Sequence, residues 1–178
     1  MKPDPKLQAV KLMILDVDGV LTDGSLYLGE NGMEFKRFSI SDGAGIVLAR
    51  AAGLKLAVVS GRQSPATASR MKELRITDLY NGTLNKLLPY ETLKKKYQLQ
   101  DSEIAYMGDD LIDLPVMERV GVPIAVANAY EPVKAVAVHI TRARGGEGAV
   151  REAIDWLLTK QGRYDQALRA LQDTLLKK

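Results

Sequence analysis

Lys11-Leu12-Met13-Ile14-Leu15-Asp16-Val17-Asp18-Gly19-Val20-Leu21-Thr22-Asp23-Gly24 is an apolar run of strand type that ends abruptly in two carboxylates and a glycine. Side chains two apart on extended chain point the same way, so Asp16 and Asp18 can converge at the strand's C-terminal end. In an open α/β sheet that end is where ligands bind. Two carboxylates so placed repel each other unless they share a cation. Mg²⁺ takes one or two carboxylates together with phosphate oxygens, which makes phosphate chemistry the economical reading. A solvated acidic turn is the competing reading, and the remainder of the chain decides between them.

The polar features that follow fall at successive predicted strand ends. Residues 54–59 read as a buried-type strand running into Ser60-Gly61-Arg62, and Ser64-Pro65 opens a helix with the cap and the proline in the expected order. A hydroxyl and backbone amides ahead of a helix form an anion site, to which Arg62 can add. A short strand over 78–80 precedes Asn81-Gly82 and Lys86, and a helix is expected over about 89–97. The next strand, 104–107, ends in Gly108-Asp109-Asp110-Leu111-Ile112-Asp113, with Asp110 placed to cap a helix running to Arg119. Further strands are expected over 124–127 and 137–140. This alternation predicts an α/β fold, a Rossmann-like doubly wound parallel sheet with helices on both faces. All strand C-termini of such a sheet share one rim, so these groups can meet there. An aspartate carboxylate can then attack phosphorus and form an aspartyl-phosphate. A magnesium ion and a lysine offset the charge repulsion, and a carboxylate two residues on serves as proton donor and acceptor.

The 178 residues make one domain, 1–178, with a core of ordinary size. Residues 1–9, polar with two prolines, are expected to be a mobile arm. The strand-like pieces 25–28 and 34–38 flank Gly29-Glu30-Asn31-Gly32 and predict a β-hairpin, a flap over 24–38 beside the acidic pair. Asp42 is expected to cap a helix that stops at Gly53. His139, the one histidine, lies in an apolar run and reads as a packed residue. Residues 142–148 form a flexible basic loop with Gly145, Gly146 and Gly148. The tail, 160–178, places Leu168, Leu171 and Leu175 on one helical face that docks either on its own core or on another subunit. A formal charge of +3 with scattered basic residues argues against nucleic acid. The absence of cysteine, of a signal peptide and of a long apolar run predicts a cytoplasmic chain with no membrane association.

Asp16-Val17-Asp18-Gly19-Val20-Leu21-Thr22, Ser60-Gly61-Arg62, Lys86 and Gly108-Asp109-Asp110-Leu111-Ile112-Asp113 together resemble the four motifs of the haloacid dehalogenase superfamily of phosphohydrolases. Thr22-Asp23-Gly24, Ser41-Asp42-Gly43, the spacing from Gly82 to Lys86 and Gly145-Gly146-Glu147-Gly148-Ala149-Val150-Arg151-Glu152 extend the resemblance. They point to its 3-deoxy-D-manno-octulosonate 8-phosphate phosphatase family. That resemblance implies Mg²⁺-dependent hydrolysis of the sugar-acid phosphate, a step in lipopolysaccharide precursor synthesis, with no large cap domain. It implies Asp16 as nucleophile and Asp18 as general acid and base. The metal would be held by Asp16, by the backbone carbonyl of Asp18 and by Asp109, with Asp110 and Asp113 in support. Ser60, Gly61 and Lys86 would bind phosphate. Asp18, Ser39, Ile40, Ser41, Asp42, Gly43, Arg62, Arg70 and Lys86 match positions that contact the sugar acid. The family also implies a homotetramer in which the hairpin and a neighbour's C-terminal region close the site.

Two positions depart from the family pattern. Many members carry arginine before the Asp-Gly of the helix start and a basic residue four positions after that glycine, where this chain has Ser41 and Val47. A carboxylate needs a cation to replace its hydration, and Arg50, one turn beyond Val47, is the expected substitute. A phosphatase for a related nine-carbon keto-sugar acid phosphate is the alternative substrate reading. A receiver-type phospho-acceptor domain is a second alternative, but its acceptor would end the third strand rather than the first. A silent structural homologue would be expected to have lost Asp16 or Asp18, and both are present.

Overall fold

Leu12–Leu15 forms β1, and all four of its side chains are fully buried. A strand apolar on both faces belongs in the middle of a parallel sheet covered on both sides, and that is where it lies. The computed structural model describes residues 4–176, except for the side chain of Leu175. β1 pairs in parallel with β4 (Lys55–Ser60) on one side and β6 (Ile104–Gly108) on the other. With β5 (Asp78–Asn81), β7 (Val122–Ala125) and β8 (His139–Ile140) the order is β5-β4-β1-β6-β7-β8, every pairing parallel. The order reverses between β1 and β6, which opens a crevice at the C-terminal rim.

Right-handed crossovers place α2 (Ile40–Ala51) and α3 (Pro65–Glu73) on one face. The same rule places α4 (Leu87–Tyr97), α5 (Leu114–Met117) and α6 (Glu131–Val136) on the other. α7 (Ala149–Lys160) packs along α2, and α8 (Tyr164–Leu176) docks on both of these helices. The tail therefore covers its own chain: Ala167 is buried and Leu171 packs on the core, while Leu168 stays exposed. A separate two-stranded antiparallel sheet, β2 (Tyr27–Leu28) with β3 (Glu34–Phe35), forms the hairpin.

Three local expectations are corrected. Residues 1–3 of the expected arm lie outside the described residues, but 4–9 are not loose. Asp4 caps α1 (Pro5–Ala9), Leu7 is buried, and the Gln161 side-chain amide donates to the carbonyls of Leu7 and Val10. Ser39, not Asp42, is the N-cap of α2, accepting from the Asp42 amide at 3.4 Å. The helix expected from Asp110 to Arg119 breaks into a 3-10 turn at Leu111–Asp113 followed by the single turn of α5. Pro115 supplies no amide to continue an α ladder, and the Asp113 carboxylate is drawn inward by other partners.

Candidate active site

Asp16 follows the last residue of β1, and its amide donates to the Met107 carbonyl of β6 at 3.0 Å, which ties the acidic turn to the neighbouring strand end. Lys86, at the start of α4, reaches the same point. Its Nζ lies 2.7 Å from Asp16 Oδ1 and 2.6 Å from Asp113 Oδ1, with the lysine side chain fully buried. Carboxylate atoms of Asp16, Asp109 and Asp113 lie within 4.8 Å of one another. Groups at 16, 86 and 109–113 thus converge on one spot.

The three carboxylates differ in how far they are already satisfied. Asp113 is saturated: Oδ1 accepts from Lys86 Nζ and from the Tyr106 hydroxyl at 2.6 Å, and Oδ2 accepts from the amides of Asp109 and Asp110. It organises the site rather than offering a ligand. Asp109 Oδ1, by contrast, is buried without a hydrogen-bond partner, which is costly unless a cation meets it. Burial raises the Asp16 carboxyl, and Asp113 adds to this while Lys86 opposes it. Burial likewise raises Asp109, reinforced by Asp16 and Asp113. Burial pushes Lys86 down, but Asp16 and Asp113 together outweigh it, and the ammonium is held charged. An all-oxygen donor set with an orphaned carboxylate oxygen suits a hard divalent cation. The carbonyl of Asp18 accepts no hydrogen bond among the described residues and is free to join such a set.

Close backbone approach makes this convergence possible. Gly19, at φ +91°, lies against Asp109, and a Cβ there would come 2.0 Å from Asp109 Oδ2. Only glycine permits both the left-handed backbone and the contact. The glycine-rich loop packs on the same turn: a Cβ on Gly145 would meet the Gly19 carbonyl oxygen at 1.7 Å, and the Gly146 amide donates to Val20 at 3.0 Å. Asn128 Oδ1 holds the Gly145 amide at 2.7 Å.

A cavity of about 310 Å³ opens over this rim, lined by Asp16, Asp18, Gly61, Arg62, Leu84, Asp110 and Ile112. The Ser60 hydroxyl is buried, donating to the Arg62 carbonyl and accepting from the Arg62 amide. Other expected substrate residues are used differently within this chain. The Asp42 carboxylate accepts from the Arg151 amide at 2.9 Å and the Gly148 amide at 3.4 Å, so it serves the start of α7. Ser41 lines a separate groove with Gly148 and Arg151. Arg70 donates to Glu73 and to the Ser39 carbonyl. Ile40 is exposed, and Gly43 packs under Arg70. Arg50 does not replace the missing cations here. It donates to the Leu74 carbonyl and lines a pocket with Lys55, Arg75 and Tyr97, at the end of the sheet where β4 begins.

Sequence reasoning missed Lys36, Glu34 and Tyr106. Lys36 Nζ lies 2.6 Å from Asp18 Oδ1, and Arg62 binds Glu34 Oε2 through Nε at 3.1 Å and Nη2 at 2.9 Å. The available signal was the strand period, which turns Glu34 and Lys36 to one side and Phe35 to the other.

Residues 75–154 match the family model for haloacid dehalogenase-like hydrolases. The chain is 46% identical over 162 residues to the 3-deoxy-D-manno-octulosonate 8-phosphate phosphatase of Escherichia coli K12, covering 91% of this chain and 86% of that one. It is similar to the crystal structure of the phosphatase of the same name from Yersinia pestis, with a TM-score of 0.87 and 41% identity, covering 90% of this chain and 86% of that one. The Moraxella catarrhalis phosphatase, solved with magnesium, phosphate and KDO, superposes with a TM-score of 0.88 at 38% identity, covering 92% of this chain and 94% of that one.

Proposed function

The chain belongs to the 3-deoxy-D-manno-octulosonate 8-phosphate phosphatase family of haloacid dehalogenase-like hydrolases, and from that membership and the site we infer that it hydrolyses 3-deoxy-D-manno-octulosonate 8-phosphate with Mg²⁺. The products are the free sugar acid and inorganic phosphate. The observation that carries this reading is the meeting of Asp16, Lys86 and Asp109 at one buried point of the rim.

Asp16 attacks phosphorus as the carboxylate, and the ester oxygen leaves as an aspartyl-phosphate forms. The Lys86 ammonium, held between Asp16 and Asp113, faces the phosphoryl charge at the moment of attack. The Gly61 amide orients a remaining phosphoryl oxygen, and the Ser60 hydroxyl joins it by turning its one proton from the Arg62 carbonyl to the phosphate. Asp18 gives a proton to the leaving alkoxide and then takes one from the water that hydrolyses the acyl phosphate. Mg²⁺, held by Asp16, Asp109 and the Asp18 carbonyl, supplies charge neutralisation between two anionic reactants. Asp110 and Asp113 keep the ligand loop in place through their mutual capping.

Assembly as a homotetramer, with the hairpin and a neighbour's C-terminal region closing the site, is part of the proposal. The exposed Tyr27, Leu28, Met33 and Phe35 support it, being an apolar surface unusual on an isolated hairpin. Residues 39–43 and Arg70, which match positions that contact the sugar acid, belong to the same proposal. Cytoplasmic location belongs to the same reading and fits a chain without cysteine; no helix among the described residues is long and apolar enough to cross a membrane.

The test is a screen of phosphorylated eight- and nine-carbon keto-sugar acids with Mg²⁺, phosphate release being measured for the wild type and Asp16→Asn. The expected result is preference for the eight-carbon acid and loss of turnover in the variant. Ser41 and Val47 favour including the nine-carbon acid, because they remove cations often found at those positions. A flat profile across sugar phosphates would overturn the substrate while leaving the reaction class.

A further inference from the structure

The hairpin is amphipathic in the wrong sense for a simple surface element. Its large apolar side chains face out, with Tyr27 at 51%, Leu28 at 69% and Phe35 at 57% exposure. Its charged side chains Glu34 and Lys36 face in, and the Lys36 side chain is only 1% exposed. Burying an ammonium costs several kcal/mol unless it is paired, and a hairpin with two-residue strands contributes little stability of its own to offset this. The arrangement therefore has to be understood from what Lys36 touches.

Lys36 Nζ lies 2.6 Å from Asp18 Oδ1 and 3.9 Å from Glu34 Oε1. Glu34 is in turn fixed to the loop after β4: Arg62 holds Oε2 through two nitrogens, and the Ser64 hydroxyl donates to Oε1. Ser64 is itself buried and caps α3, so this anchor is part of the rigid fold. At the other end Arg37 pairs with Asp23 and with Glu147 of the glycine-rich loop. A chain of polar contacts thus runs from the body of the domain through Glu34 to Lys36 and ends on Asp18. Arg62, expected to meet the sugar acid, holds this anchor through Nε and Nη2 while its half-exposed side chain also lines the cavity beside Asp16 and Asp18.

We propose that Lys36 is a positioning residue for the proton-carrying step: held by the Glu34–Arg62–Ser64 anchor, it fixes the Asp18 carboxylate through Oδ1 and leaves Oδ2 for the oxygen of the leaving sugar. The inference rests on the reading of Asp18 as general acid. It makes the hairpin a determinant of which leaving groups are processed well, since only poor leaving groups need the proton.

The experiment compares kcat/KM of wild type, Lys36→Met, Lys36→Arg, Glu34→Gln, Asp18→Asn and the Lys36→Met/Asp18→Asn pair. Two substrates are used: the sugar-acid 8-phosphate, whose alkoxide must be protonated, and p-nitrophenyl phosphate, whose phenolate departs without a proton. Thermal unfolding is recorded for each variant. For Lys36→Met the expected loss on the sugar-acid phosphate is about 10–100-fold, part of the 10²–10⁴-fold typical of general acid catalysis. On p-nitrophenyl phosphate the variant should stay within about twofold of wild type. Lys36→Arg should recover most of the loss, and Glu34→Gln should show the same substrate contrast at smaller size. In the Asp18→Asn background Lys36→Met should cost nothing more, as expected of residues that act as one unit. Equal losses on both substrates, no loss on either, or a further loss in the Asp18→Asn background would overturn the proposal. Asp18→Asn losing equally on both substrates would overturn the reading of Asp18 and the proposal with it, whereas a contrast in Asp18→Asn without one in Lys36→Met sinks the proposal alone.

Discussion

Asp113 is fully buried and accepts from Lys86, from the Tyr106 hydroxyl and from two backbone amides. Removing one partner of a buried pair leaves the other charge uncompensated, at a cost of about 3–5 kcal/mol. Asp113→Ala is therefore expected to lose about that much stability in urea unfolding, and turnover as well, because Lys86 is no longer held beside Asp16. His139 offers a residue-scale prediction in pH. It stacks on Trp156 with centroids 4.0 Å apart, and burial lowers it from its ordinary value of 6.5, with Glu152 pulling the other way. The unfolded chain thus binds a proton more readily than the folded one. That contribution to stability is present above pH 6.5 and is lost as pH falls through the depressed folded value. His139→Phe should flatten the acid side of a melting-temperature profile, and an unchanged profile would contradict this assignment.

Elements here are held in place by contacts that reach across the chain. Asp42, three residues beyond the cap of its own helix, satisfies amides at the start of α7, so α2 and α7 are joined at their N-terminal ends. Capping residues contribute about 0.5–2 kcal/mol, and Asp42→Ala should lose at least that amount in chemical denaturation, since buried amides are left unpaired. The glycine-rich loop depends on contact at a shorter scale. Gly145→Ala places a methyl group 1.7 Å from the Gly19 carbonyl oxygen, where backbone cannot yield without moving the turn that follows Asp16, the proposed nucleophile. Its kcat should fall by more than about tenfold, roughly 1.4 kcal/mol at the transition state, while Gly162→Ala, in open space, should leave kcat unchanged.

For the whole molecule, the convergence of three carboxylates and one ammonium ties folding to cation binding. A ligand at a hundred times its Kd adds about 2.7 kcal/mol to the folded state, worth about 5–11 °C at this chain length. Chelated protein should therefore melt lower than protein with Mg²⁺, and Asp109→Asn should remove most of the difference. Light scattering of the wild type measures the proposed assembly, and a monomer at working concentrations would argue against a site shared between copies.

Much of the architecture was legible from local pattern. The apolar run before Asp16 announced a buried strand, the Ser64-Pro65 step announced α3, and Gly53 marked the end of α2 within two residues. The motif residues Asp16, Lys86 and Asp109 were legible as a set because parallel strands send their ends to one rim. Less legible were Asp42, which caps a helix more than a hundred residues away, and Lys36, whose strand is two residues long beside it. Arg50 is equally illegible from local pattern: one turn of helix past Val47 carries it toward the end of the sheet where β4 begins.

What the sequence by itself determined is therefore the order of strands and helices and the chemical groups at their ends, since hydrophobic period, caps and turn residues act over a few positions. Which of those groups stay free for substrate and which are consumed in holding the site was decided only by tertiary structure. Asp113 and Asp42 each lose their freedom to a partner distant in the chain. Hydrogen bonds and ion pairs have a reach of about 3 Å, and nothing in a local pattern says which distant groups will come that close.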